Sequence, residues 1–186
     1  MKTPLRVVVV FTSFLATLLP STVARSAEEK RERVDAASTE KFEIRNIEGW
    51  AVYTETMMCD EGFLDNDPLM RLIMLKWHLR GITNAMMDQA IHAGDMTRDE
   101  AMQLMIEGGF QEEREAAGKW VRAQLTSAQL STYFVGYLEH AALRREVEQL
   151  WGEKFTLKKY HDTLLSFGSP PTKFARALML GKKIPE

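Results

Sequence analysis

From Asn46 to the end of the chain, large apolar residues return at three- and four-residue steps, and no stretch alternates apolar and polar with the period of two that a half-buried strand needs. That spacing commits the chain to helices. Leu69, Leu72, Ile73, Leu79, Ile82, Met86 and Ala90 carry it through one long segment. Leu130, Phe134, Tyr137, Leu138, Ala141, Leu143, Val147 and Leu150 carry it through another.

The punctuation agrees. Asn46 can cap a first helix ending near Gly62, and Asp67-Pro68 places an acceptor at the cap and a proline in the first turn of a second, which runs to about Gly94. Thr97 and Glu100 form a capping box for a third, which the Gly108-Gly109 pair breaks before a fourth over Phe110 to Leu125. Ser127 opens a fifth helix that Gly152 stops, and the segments Thr156–Phe167 and Pro171–Leu180 complete the set. The expectation is an all-α, multi-helix bundle of roughly seven helices.

The first residues obey a different grammar. Lys2 and Arg6 precede an apolar run from Val7 to Leu19, followed by Pro20 and small-residue sites near Ala24. This is the layout of an export signal, 1–24, removed on secretion. The run is shorter than the roughly 20 apolar residues needed to span a bilayer and is diluted by Thr12, Ser13 and Thr17, so no stable membrane anchor is expected. Residues 25–45 are charged and poor in large apolar side chains, the composition of a solvated linker or frayed helix, and the folded domain is expected over 46–186. Export places the protein in the periplasm or outside the cell. The sole cysteine, Cys59, has no partner for an internal disulfide and lies far from any cleavage site, and is expected to be a buried core thiol.

The formal net charge of −2 becomes about −4 once Lys2 and Arg6 leave with the signal. No basic block is present to follow a phosphate backbone, which excludes nucleic acid as the expected partner. Eleven methionines without interleaved histidines are read as core packing rather than a copper site, and the four tryptophans as bundle anchors.

Several segments, in order, resemble one bacterial family. Glu48 through Glu55 reads EGWAVYTE, like the family's EGWAxYxE. Asp67 through Leu72 is similar to its DPxxRL, and Ile91-His92 with Thr97 through Ala101 to its IH and TREEA pair. Gln129 through Gly136 resembles QxxSYxxG with Thr132 in the serine position, and Phe155 through Pro170 resembles FxLxxFHDxLLxxGSxP with Tyr160 for phenylalanine. The family is domain-of-unknown-function family 885, placed by similarity among helical zinc metallopeptidases of the gluzincin type. The resemblance runs from about Glu48 to the end and implies the C-terminal part of a larger metallopeptidase-like fold.

Such peptidases hold zinc with two histidines of an HExxH helix and a distant glutamate, leaving one coordination position open. The resemblance places Glu48 as that glutamate. Glu55, two turns on along the same helix face, is a candidate carboxylate supporting a metal-side group. The resemblance offers Tyr133 as the phenol that donates to the oxyanion formed on a peptide carbonyl, and His92 as a residue facing the substrate cleft. The departure is equally plain: His78, His92, His140 and His161 are each followed by a residue other than glutamate, and no two stand four apart. The HExxH helix, which precedes the EGWA segment in full-length relatives, is missing, as after an internal deletion, a truncated gene or a mis-joined gene.

One carboxylate does not hold zinc, so the expectation is an exported fragment inactive alone, with a peptide substrate or an HExxH-bearing segment supplied in trans as its partner. The alternative is a secreted, non-catalytic helical binding module. A chain stripped of its catalytic helices would also leave uncovered the apolar faces they packed against. His161-Asp162 is no catalytic pair on this reading, because helical neighbours point about 100 degrees apart. His78 and His140 are read as ordinary, partly buried polar groups.

Overall fold

The computed structural model describes residues 36–126 and 128–184, with side chains from residue 44 onward. The export signal and residues 25–35 of the charged segment lie outside the described residues. Contacts divide the chain into Met1–Thr39, of which only the helical residues 36–39 are described, and Glu40–Glu186.

Among the described residues there are seven α-helices and no strand. They are α1 (Ala36–Asp60), α2 (Pro68–Ala93), α3 (Arg98–Gln103), α4 (Glu113–Leu125), α5 (Ser131–Trp151), α6 (Leu157–Ser166) and α7 (Thr172–Met179). A π-helical turn, Leu104–Gly108, continues α3, and a short 3-10 turn, Gly152–Lys154, follows α5.

Local chemistry sets most boundaries. Asp67 accepts from the Leu69 N–H ahead of Pro68, the Thr97/Glu100 capping box closes reciprocally, and Thr156 accepts from the Lys159 N–H. Three starts differ from the sequence pattern. Helix α4 begins at Glu113 rather than Phe110, whose φ of 52° is left-handed. Helix α1 begins at Ala36, so Asn46 lies inside it; its carbonyl accepts from His140 Nε2 at 3.1 Å and its side chain meets the Thr172 hydroxyl. Helix α5 begins at Ser131 rather than near Ser127, because its cap comes from another helix. Asp88 of α2, fully buried, accepts from both the backbone N–H and the hydroxyl of Ser131 at 2.9 Å through one oxygen. A carboxylate buried by α2 neutralises the positive end of α5, and no signal within the α5 segment announces it.

Two apolar clusters flank α5. In one, Tyr53 of α1 packs with Leu143 and Val147 of α5, Tyr160 and Leu164 of α6, and Ala175 and Met179 of α7. In the other, Met87, Ala101, Met105, Ala116 and Ala123 meet around Leu130. Trp50, Trp120 and Trp151 pack against these clusters, whereas Trp77 on α2 is exposed. Cys59 is half-buried near Arg71 rather than a core thiol, because it lies at the solvent end of α1.

Helices α1 and α5 touch backbone to backbone. A Cβ added at Gly49 would fall inside the main chain of Gly136, and one added at Gly136 would fall on the Arg45 carbonyl and within 2.7 Å of the Gly49 Cα. Neither helix can yield without shifting whole. Gly49→Ala and Gly136→Ala are each expected to lose ~3 kcal/mol or more of stability. Gly118→Ala, at a helical position with open space around it, should be neutral or slightly stabilising. Urea denaturation of the three variants checks this.

Candidate functional site

The glycine crossing decides what lies beside it. Glu48 precedes Gly49 on α1 and Tyr133 sits one turn before Gly136 on α5, so the close approach brings the two side chains together. The Tyr133 hydroxyl lies close enough to the Glu48 carboxylate and the Arg122 guanidinium of α4 to feel the charge of both. Burial raises the phenol above its usual 10.0, Glu48's charge adds to that, and Arg122 offsets part of it. The group stays protonated at neutral pH, as a hydrogen-bond donor must. Arg122 is itself positioned by Gln129, whose side-chain oxygen accepts from Nη2 at 3.3 Å.

Glu55 lies two turns along α1 from Glu48. Burial raises its carboxyl above 4.5, with Glu48's negative charge as the second cause. Glu48 thus lies within electrostatic reach of Glu55 on its own helix and of Tyr133 across the crossing, and Tyr133 is also near Arg122, a residue in no segment of the family pattern and therefore invisible in sequence.

His92 engages other groups. Its Nε2 lies 3.1 Å from the Ala123 carbonyl and 3.4 Å from the second oxygen of Asp88, so it ties α2 to the turn of α4 next to Arg122.

A second cluster was not singled out from sequence. The Tyr53 hydroxyl meets His161 Nε2 at 2.9 Å, with the Arg144 guanidinium close enough to act on it electrostatically. Trp50 stands edge-on to His161 and His140, with ring centroids 5.4 and 5.6 Å away. Tyr53 lies within the EGWAVYTE segment, which was the available signal; Arg144 carried none. His78 meets the Thr56 hydroxyl at 2.9 Å.

Zinc does not fit the residues present. Among the described residues no three His, Cys, Asp or Glu side chains converge so as to hold a metal ion. Glu48 and Glu55 are two carboxylates on one helix without an imidazole partner.

The family described as bacterial protein of unknown function, DUF885, matches residues 25–179. The chain belongs to that family. The match begins inside the charged segment, upstream of Glu48, and takes in all seven helices. Two solved structures are similar. One is a candidate lipoprotein of unknown function from Shewanella oneidensis, 47% identical with a TM-score of 0.70, over 73% of this chain and 25% of that one. The other is a candidate lipoprotein from Colwellia psychrerythraea, 27% identical with a TM-score of 0.71, over 74% of this chain and 24% of that one. The chain therefore spans about a quarter of the length of these relatives. No curated protein matches. No helix among the described residues is long and apolar enough to cross a membrane.

The histidines make stability depend on pH. Burial is the first cause holding His78, His140 and His161 below 6.5, and Arg144 adds to the effect at His161. Each binds its proton more readily unfolded, so its contribution is complete above about pH 6.5 and is lost as the pH falls through the folded value. The melting temperature is expected to drop between about pH 7.5 and 5.5, and His161→Gln to flatten that slope. Thermal melts across the range check both.

Proposed function

We propose that this protein is an exported, metallopeptidase-like chain that supplies the glutamate and phenol side of a peptide-hydrolysing site and is inactive until an HExxH-bearing segment completes it. The supporting observation is the proximity of Tyr133 to Glu48 across the helix crossing: a carboxylate, beside it a protonated phenol near Arg122, and along the same helix a second carboxyl of raised pKa, Glu55.

In this reading Glu48 is one protein ligand of three, which is why the chain does not retain zinc by itself. Tyr133 donates to the oxyanion of the attacked peptide carbonyl, with Arg122 fixing the direction of the hydroxyl. Glu55 supports the metal side through its raised proton affinity. His92 holds α2 against α4 and keeps Arg122 in place.

The test measures zinc retained by the purified chain, alone and co-expressed with an HExxH-bearing segment of the family, together with peptide hydrolysis. Alone, zinc per chain is expected near zero and hydrolysis absent. Together, both appear; Glu48→Ala abolishes zinc retention, and Tyr133→Phe keeps zinc but lowers kcat by about 100-fold or more. One zinc per chain without the segment, lost in Glu48→Ala, would overturn the half-site reading. Zinc-independent hydrolysis would overturn the metallopeptidase reading.

A further inference from the structure

Helix α2 puts its large aliphatic side chains on the wrong side for its own bundle. Its buried positions are Met74, Thr83, Asn84, Ala85, Met87 and Asp88, half of them polar. Gln111 satisfies Thr83 and Asn84 at 3.1 Å each, and Asp88 caps α5. Meanwhile Leu72, Leu75, Leu79, Ile82 and Met86 follow one another at steps of three, four, three and four. Those steps draw a single stripe along a helix and are the spacing by which one helix seats another. Leu72, Leu75 and Met86 are 62%, 55% and 53% exposed. In the first half of α2 only Met74 is buried, and Leu69, Ile73 and Trp77 are also in solvent.

The stripe does not stop at Met86. It runs into a groove of about 590 Å³ between α2 and α5, walled by Ile82, Met86, Ala90 and Ala93 on one side and Phe134 and Val135 on the other. Stripe and groove together form a track of about 30 Å, from Leu72 to Ala93 at 1.5 Å per residue, long enough for a five- or six-turn helix. The cations beside it, Arg71, Lys76 and Arg80, are already paired with Asp60, Glu112 and Glu115, so apolar fit decides what binds.

We infer that this track is a docking seam for an amphipathic helix, and that the helix belongs to the polypeptide which the longer family members carry outside the stretch matched here. Three quarters of each solved relative lies outside that stretch, while the family match to this chain includes all of α2. The partner is the one invoked under the proposed function. The docking surface, however, rests on family membership and apolar geometry, and it is read without metal, so its failure is distinguishable from failure of the zinc chemistry.

The test uses the full chain and overlapping fluorescent peptides tiling the remainder of the Shewanella oneidensis relative, each about 25 residues and so longer than the track. Binding is followed by anisotropy in a chelating buffer, and the mass of the chain alone by sedimentation. At least one peptide is expected to bind and become helical. Leu75→Asp/Leu79→Asp should weaken it by about tenfold or more, and Leu165→Asp, at an equally exposed leucine on α6, should leave it unchanged. Both variants change exposed side chains, and circular dichroism confirms that they fold. Absence of binding by every peptide, or binding indifferent to Leu75→Asp/Leu79→Asp, would overturn the inference. So would a dimer of the chain that those substitutions dissolve, which would assign the seam to a second copy, or tighter peptide binding after deletion of residues 1–35, which would assign it to the chain's own N-terminal segment.

Discussion

Two glycines with no room for a methyl group hold this molecule's functional face together. Gly49 on α1 and Gly136 on α5 let the helix backbones meet directly, and that contact fixes the height and rotation of each helix relative to the other. Glu48 and Tyr133 flank the crossing, so their proximity follows from the backbone contact. The same placement sends Tyr53, four residues past Gly49, into the cluster with Leu143 and Val147, two turns and more beyond Gly136. Side-chain packing could drift by an ångström at modest cost; a backbone contact cannot.

Around that crossing, buried polar groups do the orienting and apolar groups do the filling. Asp88 illustrates the division. It occupies a position where a leucine would bury more apolar surface, yet its two hydrogen bonds to Ser131 decide where α5 begins, and His92 beside it ties in α4. A shift in α2 would therefore be felt in α4 at Ala123, the neighbour of Arg122. The docking seam lies on this same helix, which gives a bound partner a physical route to the site.

Much of the fold was legible in the residues. Seven helices, the Asp67, Thr97 and Thr156 caps, and the stops near Gly94 and Gly152 follow from local chemistry, because a cap and its N–H partners are two or three residues apart. What misled was chemistry supplied from a distance. Ser127 looked like the opening of α5, but the capping carboxylate comes from α2. Asn46 looked like a cap and serves instead as a mid-helix acceptor for His140 and Thr172. Trp77 and Cys59 were assigned to the interior by residue type, although neither type says which face of a helix is covered.

The site divides along the same line. By itself the sequence determined the helical class, the family segments, and the candidates Glu48, Glu55, Tyr133 and His92, because motif and periodicity are properties of neighbours along the chain. Only the tertiary structure decided that Glu48 and Tyr133 come together, that His92 meets the Ala123 carbonyl, that Arg122 lies near Tyr133 and Arg144 near Tyr53, and that the leucine stripe of α2 faces outward. These depend on which helix faces meet. That is set by the Gly49–Gly136 contact and by Asp88 at the start of α5, interactions between residues more than forty positions apart.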